Sequence, residues 1–477
     1  MTTLYQDTIV APATTPGTGA ISIVRISGPD SFRIVDAVVK LKRGTVSESK
    51  AYTIHFGEVF DAAGSLLDQV LVSVFRAPHS YTGEDSVEIS AHASSFIVSE
   101  LVRLLVQSGA RLAEPGEYTR RAYLNGKMDL AQAEAVADVI SSTTSASHRV
   151  AMNQLKGGFS AHLSDLRAQL LEMASLLELE LDFSEEDVEF AEREQLERIL
   201  ADTLVHVESL AASFRQGNLI KNGVPVAIAG PVNAGKSTLL NALVGEDRAL
   251  VSDQAGTTRD TIEETLQIDG ILFRFIDTAG LRENEASDLV ERMGIDRTYR
   301  KISQAEVVLA VLDSSAPEAL IQEQFQGIVG RIDWKSQLMI AVLNKADKVT
   351  IDGINKNVKL INNIVKSFGD KCVVISISAK QQSGINELKN ALKLFAIDLI
   401  PNADSTFITN QRHYQSLLSA AQSLRQVRMA LSSGIPTDLV AEDLRRAIAS
   451  INEILGAGLL DPDTVLHAIF SRHCIGK

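Results

Sequence analysis

The segment Gly230-Pro231-Val232-Asn233-Ala234-Gly235-Lys236-Ser237 places two glycines five residues apart, followed at once by a lysine and a hydroxyl. Glycines at that spacing let backbone N–H groups close on phosphate oxygens. Lys236 would set a positive charge on the outer phosphates, and Ser237 would offer a hydroxyl to Mg²⁺. An apolar run over 224–229 precedes the loop and a helical run over 238–244 follows it. The loop should therefore open a helix, whose N-terminal N–H groups and dipole favour anions. The backbone of Asn233, Ala234, Gly235, Lys236, Ser237 and Thr238 is expected to cradle a nucleotide.

Three further clusters follow in order, each after an apolar strand-like run. Asp277-Thr278-Ala279-Gly280 offers a carboxylate that can hold Mg²⁺ through water, and an N–H at Gly280 that can sense a terminal phosphate. In Asn344-Lys345-Ala346-Asp347, the Asp347 carboxylate can accept from the paired N–H donors of guanine, which adenine lacks. Ser378-Ala379-Lys380 can supply a backbone N–H to guanine O6. Together these clusters imply GTP and GDP as ligands. Between the phosphate loop and Asp277 lies Thr257-Thr258-Arg259-Asp260. By position Thr258 is favoured over Thr257 as a Mg²⁺ ligand that orders with the terminal phosphate; a capping threonine is the plainer reading. Leu281 follows Gly280 where a water-positioning glutamine often stands, so water activation must come from elsewhere. Asn233 carries a side-chain carbonyl that could hold a monovalent cation beside the phosphates; an ordinary loop residue is the alternative.

These loops need elements to carry them. Strands are expected over 224–229, 261–268, 271–276, 305–312, 337–343 and 372–377, several of them continuous apolar runs suited to burial on both faces. Helical stretches between most of them imply a doubly wound α/β sheet. Residues 20–26, 53–60, 69–75 and 86–92 alternate or are β-branched, and 94–107 has helical spacing, so an α+β domain with a mainly antiparallel sheet should precede. From Asp129, with Gln132 three residues on as a capping box, one helix is expected to run to Gly157-Gly158. Leu163, Leu166, Leu170, Ala174, Leu177 and Leu181 mark a second, and a third should span 188–214. After Pro401, Val440, Leu444, Ala447, Ile448, Ile451 and Leu455 line another helix, capped by Thr437 and stopped by Gly456. Asp461-Pro462 should open a last short one.

The chain has 477 residues, enough for about three domains. Its 46 Lys and Arg against 60 Asp and Glu leave a charge of −14, which argues against whole-surface nucleic-acid binding. Eleven acidic and two basic residues fall between Glu172 and Arg198, most simply a solvated helix face. Two cysteines, Cys372 and Cys474, fit a reducing cytoplasm. The first residues lack a basic, then apolar, leader pattern, and no apolar run is long enough for a membrane span, so no membrane role is expected. The spacing of His and Cys does not suggest zinc.

The flanks of the nucleotide motifs carry a resemblance. Asp7-Thr8-Ile9-Val10-Ala11, Pro16-Gly17-Thr18-Gly19-Ala20 and Arg25-Ile26-Ser27-Gly28 resemble the N-terminus of the MnmE/TrmE family of tRNA-modifying GTPases. So do 80–89, beginning Ser80-Tyr81-Thr82-Gly83-Glu84, the stretch from Pro115-Gly116-Glu117-Tyr118-Thr119-Arg120-Arg121 through Asp129-Leu130-Ala131, and the tail Cys474-Ile475-Gly476-Lys477. The resemblance implies a multi-domain chain. An α+β folate-binding and dimerisation domain would span 1–120. An all-α helical domain would occupy 121–216 and 396–477, split by an inserted P-loop α/β doubly wound GTPase domain over 217–395. It implies a homodimer through the N-terminal domain, and an FAD-dependent partner of the MnmG/GidA type. The pair would place an aminomethyl or carboxymethylaminomethyl group on C5 of the wobble uridine of certain tRNAs, using a tetrahydrofolate one-carbon unit. It also implies K⁺ at Asn233 and Glu291 as general base, by the match of Leu281-Arg282-Glu283 and Ser287–Arg292. Arg25, Glu88, Arg121, Cys474 and Lys477 become folate or substrate candidates. Thr18 and Ser90-Ala91-His92-Ala93-Ser94 depart from the family pattern, and Pro231 is displaced from the usual place before Asn233. A ribosome-assembly GTPase binding rRNA is the alternative, but 396–477 does not look like a basic RNA-binding appendage. A scaffold with a vestigial nucleotide domain is a third reading, against which the full motif set argues.

Overall fold

A computed structural model describes residues 7–182, 193–245, 264–276, 302–399, 407–433, 437–457 and 476. The chain divides into two compact units, 1–140 with 151–207 and 415–477, and 141–150 with 208–414.

The first unit opens with β1 (Ile9–Pro12), β2 (Ile21–Ser27), α1 (Ser31–Val38), β3 (Val39–Leu41), β4 (Thr53–Phe60), β5 (Leu66–Phe75), β6 (Ser86–His92), α2 (Ser95–Gln107), β7 (Arg111–Leu112) and α3 (Glu117–Leu124). The strands form a seven-stranded sheet in the order β3-β4-β5-β6-β2-β1-β7. Every pairing is antiparallel except the short β1–β7 edge. Alternation decides its faces. Val24, Ile26, Val70, Val72, Val74, Val87 and Ile89 bury beneath Ile34, Val35, Leu101 and Leu105 of α1 and α2. The intervening residues point the other way, leaving Ile54 68% and Leu71 48% exposed.

Four helices follow: α4 (Leu130–Ser141), α5 (Ser145–Leu155), α6 (Gly158–Asp182) and α7 (Arg193–Ala212). The capping box forms as its spacing requires. Gln132 N–H donates to Asp129 Oδ1 at 2.8 Å, and Asp129 N–H to Gln132 Oε1 at 3.0 Å. The single helix expected from Asp129 to Gly157 is instead two. Thr144 starts a new helix by accepting from the Ser147 N–H, and Ser147 Oγ accepts from the Thr144 N–H, both at 3.1 Å. Hydroxyl side chains here compete for the backbone and break the helix that the apolar spacing would continue.

On α6, Leu163, Leu166, Leu170 and Leu177 are buried as expected, with Met173 rather than Ala174 between them. They pack against the last described helix, α14 (Thr437–Leu455), through Val440, Leu444, Ala447, Ile451 and Ile454. Arg167 Nε donates to Asn452 Oδ1 at 2.7 Å across that contact. Thr437 is helical rather than a preceding cap, and the residues just before it lie outside the described residues. Gly456 stops the helix at φ +79°, where an added Cβ would collide with Tyr123 and Leu130. The start of the third expected helix and the whole of the last short one lie outside the described residues.

The second unit continues with α8 (Phe214–Asn222), β8 (Val224–Ala229), α9 (Lys236–Val244), β9 (Glu264–Ile268), β10 (Ile271–Phe275), β11 (Val307–Asp313), α10 (Glu318–Val329), β12 (Leu338–Asn344), α11 (Ile351–Val365), β13 (Cys372–Ser376), α12 (Ile385–Leu399) and α13 (Gln411–Ser432), the last of which runs on into the first unit. The sheet order is β13-β12-β11-β8-β10-β9, with only the β9 edge antiparallel. One face buries under Leu239, Leu240 and Leu243 of α9 and Leu388 and Leu392 of α12. The other buries under Ile321 and Phe325 of α10 and Ile361 and Val365 of α11. This is the doubly wound arrangement, and each continuous apolar strand run is the result of two covered faces. Among the described residues no helix is long and apolar enough to cross a membrane.

Candidate nucleotide site and a second polar centre

In a doubly wound sheet a ligand sits beyond the carboxyl ends of the strands. Here β8 runs out into Gly230, where φ is +152° and an added Cβ would strike the Val311 carbonyl of the neighbouring strand. Asn233 follows at φ +65° and Gly235 at φ +91°, and α9 begins at Lys236. Two left-handed residues within three turn the loop tightly; asparagine and glycine tolerate that backbone best. The Lys236 ammonium lies over the loop, donating to the carbonyls of Gly230 at 3.0 Å and Pro231 at 2.8 Å. Ser237 and Thr238 occupy the first turn of α9.

Asn344, the last residue of β12, joins this loop to the next. It is 2% exposed. Its Nδ2 donates to the Ala234 carbonyl at 2.8 Å, and its Oδ1 accepts from the Ala379 N–H at 3.0 Å. A Cβ on Gly235 would run into the same Nδ2. Three loops from β8, β12 and β13 are thus braced at one side chain. Asp347 stands in a short turn just beyond, where Ser378 Oγ donates to Oδ1 at 2.6 Å. That bond holds the Asp347 carboxyl below the usual carboxylate range. Lys345 lies between at φ +62°, its ammonium on Asp313. Ala379 is buried and Lys380 exposed. The arrangement offers N–H donors and a cation for phosphates at one end, and an ionised carboxylate for a purine edge at the other.

Sequence reading did not single out Asp313. The signal was its place at the end of an apolar strand next to the phosphate loop. Thr257, Thr258, Asp277, Gly280, Leu281 and Glu291 lie outside the described residues.

The second centre is on the outer face of the seven-stranded sheet. Arg25 of β2 and Glu88 of β6 are register partners, 2.8 Å apart at Nη2 and Oε1. The guanidinium sits 5.3 Å from the Tyr81 ring centre and 5.6 Å from that of Tyr118. Tyr118 O–H donates to the Arg25 carbonyl at 2.6 Å. Arg25 Nη1 donates to the Gly476 carbonyl at 3.3 Å, so the C-terminal tail reaches this pair. Cys474 and Lys477 themselves lie outside the described residues.

Arg121 is elsewhere. It is fully buried, with its guanidinium on Asp7 at 2.9 Å, Glu117 at 3.0 Å and Glu84 at 3.3 Å. Burial pushes Asp7 and Glu117 up, but Arg111 and Arg121 more than offset it and hold both below the usual range. Glu84 keeps a raised value because burial outweighs its arginine. Arg121 is committed to these carboxylates and not presented to a ligand on the sheet face.

Residues 8–127 match the family model for the GTP-binding protein TrmE N-terminus, and residues 130–474 match the MnmE helical domain. The tRNA modification GTPase MnmE of Bacteroides thetaiotaomicron is 49% identical over 477 residues, covering 99% of this chain and 100% of its own. That of Flavobacterium johnsoniae is 47% identical over 477 residues, again covering 99% and 100%. That of Cytophaga hutchinsonii is 46% identical over 478 residues, covering 100% and 99%. Similarity on this scale extends far beyond the widely shared phosphate loop and takes in the antiparallel sheet and both helical segments; this chain belongs to the MnmE/TrmE family of tRNA modification GTPases.

Proposed function

We propose that this protein hydrolyses GTP and uses the cycle to drive modification of C5 of the tRNA wobble uridine in the cytoplasm. It acts with an FAD-dependent protein of the MnmG/GidA type, and a tetrahydrofolate supplies the carbon. The observation that carries the GTP part is the Asn344 brace, which holds the phosphate loop, Asp347 and the 378–380 loop at one mouth of the sheet. GTP entering that mouth takes Lys236 from the loop carbonyls onto its phosphates. Asp347 accepts from the two guanine donors. Since Ser378 N–H is bonded to Ser383 and Ala379 N–H to Asn344, the donor for guanine O6 is the Lys380 N–H.

Mg²⁺ would be held by Ser237, Thr258 and Asp277, and K⁺ by Asn233. The fit rests on Ser237 in the first turn of α9 and on an exposed Asn233 carboxamide at the loop tip. The cations neutralise charge that builds on the phosphates. Glu291 is the proposed base for the attacking water.

The folate reading narrows to Arg25, Glu88, Tyr81 and Tyr118, beside which Gly476 is bonded; Cys474 and Lys477 stay candidates by resemblance alone. Arg25 presents a cation framed by two aromatic rings, a fit for a carboxylate or a flat heterocycle. A homodimer through the first 120 residues is supported by the exposed apolar outer face around Ile54 and Leu71.

The test has two arms. GTP turnover measured in KCl and in NaCl should be faster in KCl; equal rates would remove the Asn233 cation. Nucleoside mass spectrometry of tRNA from a deletion strain should show the wobble modification lost; unchanged tRNA would overturn the function.

A further inference from the structure

β11 ends at Asp313, which lies opposite Asn344 in the parallel pairing with β12. The Ser314 N–H donates to the Asn344 carbonyl at 2.9 Å, so the two strand ends leave the sheet together. The next residue of the second strand, Lys345, has φ +62°. A lysine in the left-handed region gives up about 1 kcal/mol against ordinary backbone, so its surroundings must hold it. Its ammonium lies 2.7 Å from Asp313 Oδ2. Asp313 is itself fixed: Ser315 donates to Oδ1 from its N–H at 2.9 Å and from Oγ at 2.6 Å. The lysine and aspartate side chains are 25% and 24% exposed, so water only partly screens the pair.

We propose that Asp313 is a positioning residue for the guanine nucleotide, anchoring the Lys345 ammonium so that the lysine stem forms one wall of the slot that Asp347 closes. Lys345 precedes Asp347 by two residues on the same braced turn, so its stem borders the place where a base meets that carboxylate. An untethered lysine would lose about 1.5–2 kcal/mol of rotamer freedom when a base packs on it. Tethering removes that loss before the ligand arrives, which lowers the cost of binding and slows release.

The inference rests on the guanine-nucleotide reading above. Its test is a titration of the full chain with GDP carrying a fluorescent label on its ribose, comparing wild type, D313A, D313N, K345A and the D313A/K345A double variant. D313A should bind about tenfold more weakly. D313N, which keeps an acceptor but loses the charge, should fall between. The double variant should bind no more weakly than K345A alone, because Asp313 acts only through that lysine. With saturating GTP, kcat of D313A should stay within about twofold of wild type while KM rises. Wild-type affinity in D313A and D313N, additive losses in the double variant, or a fall in kcat matching that in kcat/KM would each overturn the proposal. If D313A does not fold, D313N and K345A carry the comparison. Wild-type protein that fails to bind labelled GDP would overturn the guanine reading itself, and this inference with it.

Discussion

The parallel sheet β8–β13 is covered on both faces, whereas the antiparallel sheet β1–β7 buries one face and shows the other. In the first, core packing takes up nearly every side chain of the central strands β8, β11 and β12, so polar chemistry gathers in loops at their ends. Each loop is a short contiguous stretch with its own residue signature. In the second, chemistry sits on the sheet surface, on residues far apart in the chain. Arg25 and Glu88 are 63 residues apart and meet only through register. The first kind of site can be read locally, and the second depends on how strands pair.

The contrast can be attacked from its strongest point. Arg121 anchors the base of the antiparallel unit by charge, where the parallel unit relies on apolar layers. Arg121→Met should cost about 3–5 kcal/mol, because it leaves Glu84 buried without its cation and strips Glu117 of one of its two close arginines. Thermal unfolding of the whole chain would show it, and a loss below 1 kcal/mol would contradict the charged anchor. The same group has a pH signature. Asp7 and Glu117 titrate lower folded than unfolded, so their contribution is present above the ordinary carboxylate range and lost as pH falls through their folded values. Glu84 works with the opposite sign, since its raised value costs stability at neutral pH and is relieved on protonation. Melting temperature should therefore fall below about pH 4, and fall less steeply in Arg121→Met.

Next in size is Asp347→Asn. Replacing the acceptor pair by a carboxamide should weaken GTP by about a hundredfold while improving xanthosine triphosphate, which pairs an N–H and a carbonyl on that edge. Competition binding measures both; unchanged preference would mean that the parallel unit reads its base elsewhere. A smaller effect tests the exposed face. Ile54→Lys with Leu71→Lys should weaken self-association by about tenfold or more, seen by sedimentation. An unaffected dimer would mean that this face serves another purpose. Smallest is Asp129→Ala, which removes one half of the capping box and should cost about 1 kcal/mol in thermal unfolding.

Legibility followed the same divide. All six strands of the nucleotide sheet fall where apolar runs of the sequence place them, with ends shifted by a few residues. The phosphate loop and Asp347 stand where strand-end logic puts them. Asn344 was legible as part of a motif, but not as the brace between three loops, since its partners Ala234 and Ala379 are 110 and 35 residues away. In the antiparallel unit the longer strands and α2 were legible, but β1, β3, β7, α1 and α3 were not, being short or of mixed pattern. The break at Ser142–Thr144 was written in hydroxyl residues, and helical spacing on both sides concealed it.

By itself the sequence determined the chemistry that depends on residue type at fixed short spacing. That covers the phosphate loop, the carboxylate proposed to meet guanine, the capping box and the family to which the flanks belong. Tertiary structure alone decided which distant groups share a site. Arg121, a ligand candidate in sequence, became a buried ion anchor because three carboxylates converge on it. Arg25 stayed on the outer face, its side chain 16% exposed, because strand alternation turns it away from the core. Asp313 came to border the candidate nucleotide site because parallel register sets it beside Asn344 and within reach of Lys345. The reason is physical: spacing along a chain fixes the neighbours within a turn or a strand, while burial and pairing across elements depend on where the whole chain folds back.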